Sequence, residues 1–310
     1  MEELPLLLDD GCAALQWAEA PLPDKQDLAG ALWAPDAAPG VNELRDAMCD
    51  SPNGQTLAAY EAVWFGVVTP RVRASPWVAQ LGSVWRPSSA SQRLWVSCPR
   101  FESIMLARLH ASFALAPARA RPILAVENEA AYEEAAACYE FAALEAAGWA
   151  NAPPGFPPEL SARENDACAR LARALAAACG LSPEDAPAWR GVAALCAWQG
   201  DAGIRPCGLA LRRTGLAAHG QACAAAAAAA AAENRYADAV ALQARAVEDA
   251  QAAGTSAKTV EKLERRLATL RFALAKVFPG SQSSFFADAM LPAATPAPSI
   301  SATYPPPGRT

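Results

Sequence analysis

Between residues 217 and 277 two long alanine-rich segments meet at Glu233-Asn234-Arg235-Tyr236, and a third follows a break at Gly254-Thr255-Ser256. No other stretch narrows the available folds as much. Alanine loses no side-chain entropy on entering a helix, so the run 224–232 is strongly helix-forming. Its methyl-sized surface also lets neighbouring helix axes come close together. A chain that devotes this much sequence to small helical faces is a scaffold of packed helices, with its recognition chemistry elsewhere on the surface.

The same pattern extends in both directions. Over 257–277, Val260, Leu263, Leu267, Leu270, Leu274 and Val277 fall at steps of three and four, one continuous buried stripe, while Lys262, Arg265, Arg266 and Arg271 occupy the outer face. A charged face of this kind is ordinarily solvated, and it also suits anionic lipid or an acidic partner. Upstream, 101–116 sets Ile104, Leu106, Leu109, Phe113 and Leu115 on one broad face, and 127–148 sets Tyr132, Ala136, Tyr139 and Ala143 at helical spacing. Two shorter helices are expected over 160–179 and 187–199, the second behind a capping turn, Ser182-Pro183-Glu184-Asp185. The first hundred residues are studded with proline and carry six of the nine tryptophans, which predicts short helices and extended pieces. Two apolar runs there, 62–68 and 93–97, read as strands that pair into a small sheet. The fold class is therefore all-α with a small β element in the N-terminal third. A single domain is expected over 1–290, its core at about 93–280, followed by a proline-rich flexible tail at 291–310.

Composition and spacing argue against most chemistry. With 26 Lys+Arg against 32 Asp+Glu, a net charge of −6, the chain lacks the basic surplus that phosphate binding draws on, so nucleic acid is not an expected partner. The nine cysteines show no Cys-x-x-Cys spacing and read as reduced, buried thiols. The two histidines, His110 and His219, form no His-Glu-x-x-His pair and offer little to a nucleophile in need of a base. Gly254-Thr255-Ser256-Ala257-Lys258-Thr259 ends like a phosphate loop but has alanine at both required glycine positions, so a helix N-cap at Thr255 or Ser256 is the better reading. Glu133, Glu134, Glu140 and Glu145 read as the wet side of their helix. No window is apolar enough to span a bilayer, and the short run 4–8 is flanked by acidic residues, the reverse of a secretory leader. No catalytic residue, cofactor or metal is expected, and the expected location is the cytosol.

Four segments, in order, carry a family resemblance. Residues 101–112 form a small-residue helix behind an extended piece, and Ala135-Ala136-Ala137-Cys138-Tyr139-Glu140-Phe141-Ala142 has the form Ala-x-x-Tyr-x-x-Ala. The most distinctive is the alanine-bearing helix 228–232 that turns at Asn234-Arg235-Tyr236 and returns through 237–246; a closing helix, 263–277, runs into Phe278-Pro279. In these features 93–293 resembles the BRO domain of Alix-type endosomal scaffold proteins. The resemblance implies an elongated, tetratricopeptide-like array of antiparallel helices that works by binding. It further implies a non-enzymatic adaptor in endosomal sorting or membrane remodelling, cytoplasmic and recruited peripherally to endosomes. The implied partner is an amphipathic C-terminal helix of a subunit of the ESCRT-III scission machinery. The corresponding patch falls at Cys179, Val192, Leu195 and Cys196, flanked by Trp189 and Trp198. Peripheral contact with anionic membrane would use the basic residues of the last helices. In the tail, Tyr304-Pro305-Pro306-Pro307 suits a WW-type or Src-homology module. The competing expectation is a generic tetratricopeptide-like interaction module with unrelated partners, which should show a recurrence of roughly 34 residues that the sequence lacks.

Overall fold

The computed structural model describes residues 20–24, 40–70, 83–87, 93–96, 98–149, 157–181, 185–196 and 206–277. Contacts divide the chain into two compact units, Gly11–Ala176 and Ala177–Ser299. Both are built mainly of α-helices, as the alanine and apolar periodicities predict. No helix among the described residues is long and apolar enough to cross a membrane.

In the first unit, strand β1 (Leu22–Pro23) is followed by helices α1 (Val41–Asp50) and α2 (Gly54–Val63), strands β2 (Ser83–Arg86) and β3 (Leu94–Val96), then α3 (Pro99–Leu115), α4 (Glu129–Ala147) and α5 (Ala162–Ala178). The strands form an antiparallel sheet in the order β1-β2-β3. The segment expected as a strand at 93–97 is thus β3, but its partner is Ser83–Arg86. The other expected strand, 62–68, is helical: α2 runs on through a π-helical turn, Trp64–Val68. The reason lies upstream. Asn53 caps α2 by accepting from Gln55 N and Thr56 N, while Thr56 Oγ1 accepts from Asn53 N, a reciprocal capping box. From that start Leu57, Tyr60, Glu61, Trp64 and Val68 fall on one buried face at steps of three and four, and burial overrides the β propensity of a short aromatic run.

Helix α3 is the centre of this unit. Its apolar residues Phe101, Ile104, Met105, Leu106 and Leu109 are buried, and so are Glu102, Ser103, Arg108 and Ser112. A helix buried on nearly all sides must satisfy its polar side chains internally. Glu102 accepts from Arg45 Nε at 3.0 Å, Tyr60 Oη at 2.9 Å and Trp85 Nε1, which links α3 to α1, α2 and β2. Ser103 accepts from Trp64 Nε1 at 3.0 Å. Arg108 donates to Asn165 Oδ1 of α5 at 2.8 Å and lies over the Tyr139 ring of α4.

The second unit contains α6 (Ala186–Leu195), α7 (Pro206–Ala232), α8 (Tyr236–Ala252) and α9 (Ala257–Val277). The α7–α8 turn comes where the sequence predicts it. Asn234 adopts φ 60, and Arg235 N and Asn234 N donate to Ala230 O and Ala231 O, a Schellman cap. Gly254, at φ 68, closes α8 in the same way, with Thr255 N donating to Ala250 O and Gly254 N to Gln251 O. Ser256 Oγ then accepts from Thr259 N, so the would-be phosphate loop is a helix N-cap. Along α7 the buried positions Leu211, Gly215, Ala218, Cys223, Ala227 and Ala230 step by three to five residues, and α8 returns antiparallel along its later turns, with Ala246 and Asp249 close to Gly220. Leu267 and Leu270 of α9 are buried against α8, whose Gln243 Nε2 donates to Leu263 O at 3.1 Å.

Candidate partner-binding site

Helix α6 and its C-cap residue carry three of the four residues expected to bind a partner. Asp185 caps it by accepting from Ala188 N at 3.4 Å, and Pro187 sits in the first turn, where a missing N–H does no harm. Trp189, Val192, Ala193 and Cys196 follow at i, i+3, i+4 and i+7 and are all buried. They face α7. The crossing is close because Gly215 of α7 lies under them: a Cβ there would stand 2.5 Å from Trp189 O and 3.1 Å from Ala193 Cβ. Val192 and Cys196, at 0% exposure, lie on the buried side of α6. Leu195 sits on the shoulder of the helix and is half-buried, next to the exposed Gly191 and Ala194. Cys179 closes α5, directly before Gly180 with its φ of 69, and is buried. Trp198 lies outside the described residues.

No family model matches this chain, and no curated protein does. A solved structure does: an ALIX BRO1 CHMP4C complex, with a TM-score of 0.50 and 14% sequence identity, aligned over 90% of this chain and 94% of that one. The fold is BRO1-like. At that identity the likeness concerns backbone architecture, which fits a chain whose core positions are so often alanine. Among the described residues, small residues set helix spacing directly at the α6–α7 crossing and in the α7–α8 hairpin.

The two histidines of the BRO1-like chain are both held by carboxylates. On α3, His110 Nδ1 donates to Glu61 Oε2 and Nε2 donates to Glu134 Oε1, each at 3.0 Å. Burial opposes the charged ring, but the hydrogen bonds to Glu134 and Glu61 outweigh it and raise the pKa to about 10. With both nitrogens donating, the ring has no free lone pair with which to act as a base. It is a bridge between α2, α3 and α4. Because the folded pKa lies above the unfolded value of about 6.5, the bridge contributes its full stability below pH ~6.5 and loses it as pH rises through about 10. The stability difference between wild type and His110→Gln, from urea titrations at several pH values, should therefore shrink by more than about 1 kcal/mol across that window.

The second histidine belongs to a cluster that no sequence motif flagged. His219 and Cys223 of α7 and Asp249 of α8 are all buried, with donor atoms within 4.8 Å of one another. His219 Nδ1 donates to Asp249 Oδ2 at 2.5 Å, and Cys223 Sγ lies 3.9 and 3.8 Å from the two ring nitrogens. The Asp249 carboxylate, with a smaller contribution from Cys223, holds the imidazole pKa up to about 9. A sulfur equidistant from both nitrogens is in line with neither, so this is not a nucleophile hydrogen-bonded to a base. The available signal was His219-x-x-x-Cys223, an i, i+4 pair on one helix face; a search for paired cysteines passes over it.

Proposed function

We propose that this chain is a non-enzymatic adaptor in endosomal sorting or membrane remodelling, and that it captures an amphipathic helix of an ESCRT-III subunit along α6. The observation that supports this reading is the backbone likeness, over most of both chains, to an ALIX BRO1 domain solved as a complex with CHMP4C. Helix-in-groove recognition needs an apolar anchor beside small residues that let the incoming helix come close. Leu195, with Gly191 and Ala194 next to it, offers that arrangement on the outer side of α6. Val192 and Cys196 hold α6 in place from the inner side, and Cys179 closes the helix before it. In this reading the adaptor is cytoplasmic and is recruited peripherally to endosomes. The exposed Lys258, Lys262, Arg266 and Arg271 of α9 would add attraction to anionic lipid, each about 1 kcal/mol near the surface. A proline-rich tail would give a WW-type or Src-homology module an extended strip.

The test is titration of the purified chain with labelled C-terminal helix peptides of ESCRT-III subunits, followed by anisotropy. Leu195→Asp should weaken binding by about tenfold while leaving the circular dichroism spectrum unchanged, since Leu195 is only half-buried. Failure of the wild type to bind any of the peptides would remove this function and leave the generic tetratricopeptide-like interaction module in its place.

A further inference from the structure

His219, Cys223 and Asp249 bring an imidazole nitrogen, a thiol and a carboxylate to one buried point between α7 and α8. We propose that this point is a zinc site, with the three side chains as ligands, that clamps the α7–α8 hairpin.

The donor set selects the metal. A thiolate with an imidazole and one carboxylate matches borderline divalent zinc, whereas calcium and magnesium take oxygen donors. The donor separations, though not yet the direction of the sulfur, are near what zinc requires. With Zn–N and Zn–O of about 2.0–2.1 Å and Zn–S of about 2.3 Å, tetrahedral coordination separates N from O by about 3.3 Å and N from S by about 3.6 Å. Cys223 Sγ stands 3.9 Å from His219 Nδ1 and 3.8 Å from Nε2, so the thiolate would have to turn toward the Nδ1 side, and the Asp249 carboxylate at 2.5 Å would have to withdraw by less than an ångström. The thiol and the imidazole give up their protons as the metal enters.

Two further features indicate a site that is built into the fold. Gly220 stands between the ligands on α7, and a Cβ there would come within 3.2 Å of Asp249 Cβ and 3.3 Å of Ala246 O. Its missing side chain is what lets α8 approach closely enough for Asp249 to reach His219. The other carboxylate oxygen, Asp249 Oδ1, pairs with Arg245 Nη2 at 3.2 Å. That contact orients the carboxylate and leaves Oδ2 for the metal, as second-sphere partners do in zinc sites. Three protein ligands leave a fourth position for water.

The experiment uses the full chain, reduced and stripped of metal, titrated with cobalt(II) as a spectroscopic substitute for zinc. The expected result is one equivalent bound, with a thiolate-to-cobalt charge-transfer band that zinc displaces and that is absent from Cys223→Ala and Cys223→Ser. Alanine and serine are both no larger than cysteine, so at least one variant should keep the wild-type circular dichroism spectrum. Zinc-edge X-ray absorption of the wild type needs no variant and should show a single sulfur among nitrogen and oxygen ligands. The proposal is overturned if the folded wild type gives no charge-transfer band, if the band persists in a folded Cys223 variant, or if the zinc shell contains no sulfur or more than one.

Discussion

Replacing Glu102 with alanine should destabilise the first unit by about 3–5 kcal/mol, a large part of the roughly 5–15 kcal/mol typical of a folded domain. Glu102 is 1% exposed and is the shared acceptor for Arg45, Tyr60 and Trp85, which come from three different elements. Burial works against the Arg45 guanidinium, but Glu102 holds it charged and raises its pKa. Without the carboxylate the buried Arg45 keeps its hydrogen bond to Asp24 O but loses the charge of Glu102, and the Tyr60 hydroxyl and Trp85 indole each lose an acceptor. The loss should appear as a lower urea midpoint with an unchanged slope. Because the cost of breaking such a pair exceeds the worth of having it, the double change Arg45→Met with Glu102→Leu should recover most of the loss. A double variant as unstable as Glu102→Ala alone would mean that the charge is not what Glu102 contributes.

None of that network is visible in the sequence. Ile104, Leu109 and Phe113 announce a helix, but they do not say that Glu102 and Arg108 on the same helix will also be buried, because their partners lie 57 residues away at Arg45 and Asn165. Local signals were read well where the physics is local. The turn at Asn234 and the stop at Gly254 follow from residues that tolerate positive φ, and the last helix is α9, Ala257–Val277, as its leucine spacing predicts. The run 62–68 is helical despite its strand-like composition because its helix starts at the capping box at Asn53, outside the window of β-branched and aromatic residues. The candidate site shows the same division. Spacing placed Val192, Leu195 and Cys196 on one helix but could not tell its inner side from its shoulder. That assignment depends on which residue of α7 lies opposite, and the residue is a glycine.

Gly215 therefore supplies the link between fold and proposed function. Gly215→Val should cost about 3 kcal/mol, because the new Cβ would lie 2.5 Å from a backbone carbonyl, which cannot swing aside as a flexible side chain can. The strain acts on Trp189 O and Ala193 at the centre of the α6–α7 crossing, so the chain relieves it by moving α6 off α7. That movement carries Leu195 with it. The expected pattern is a lower Tm, faster hydrogen exchange in α6 than in α8 or α9, and loss of peptide binding comparable to that of Leu195→Asp, although residue 215 is itself buried and touches no partner. For helix exchange, Gly191→Ala makes the matched control, since a Cβ at 191 meets nothing within 4 Å and alanine favours the helix. It should leave exchange in α6 unchanged or slower. If Gly215→Val lowered Tm but left both α6 exchange and peptide affinity at wild-type values, the position of α6 would not be set by its crossing with α7, and Leu195 would lose its role as the anchor that this crossing presents.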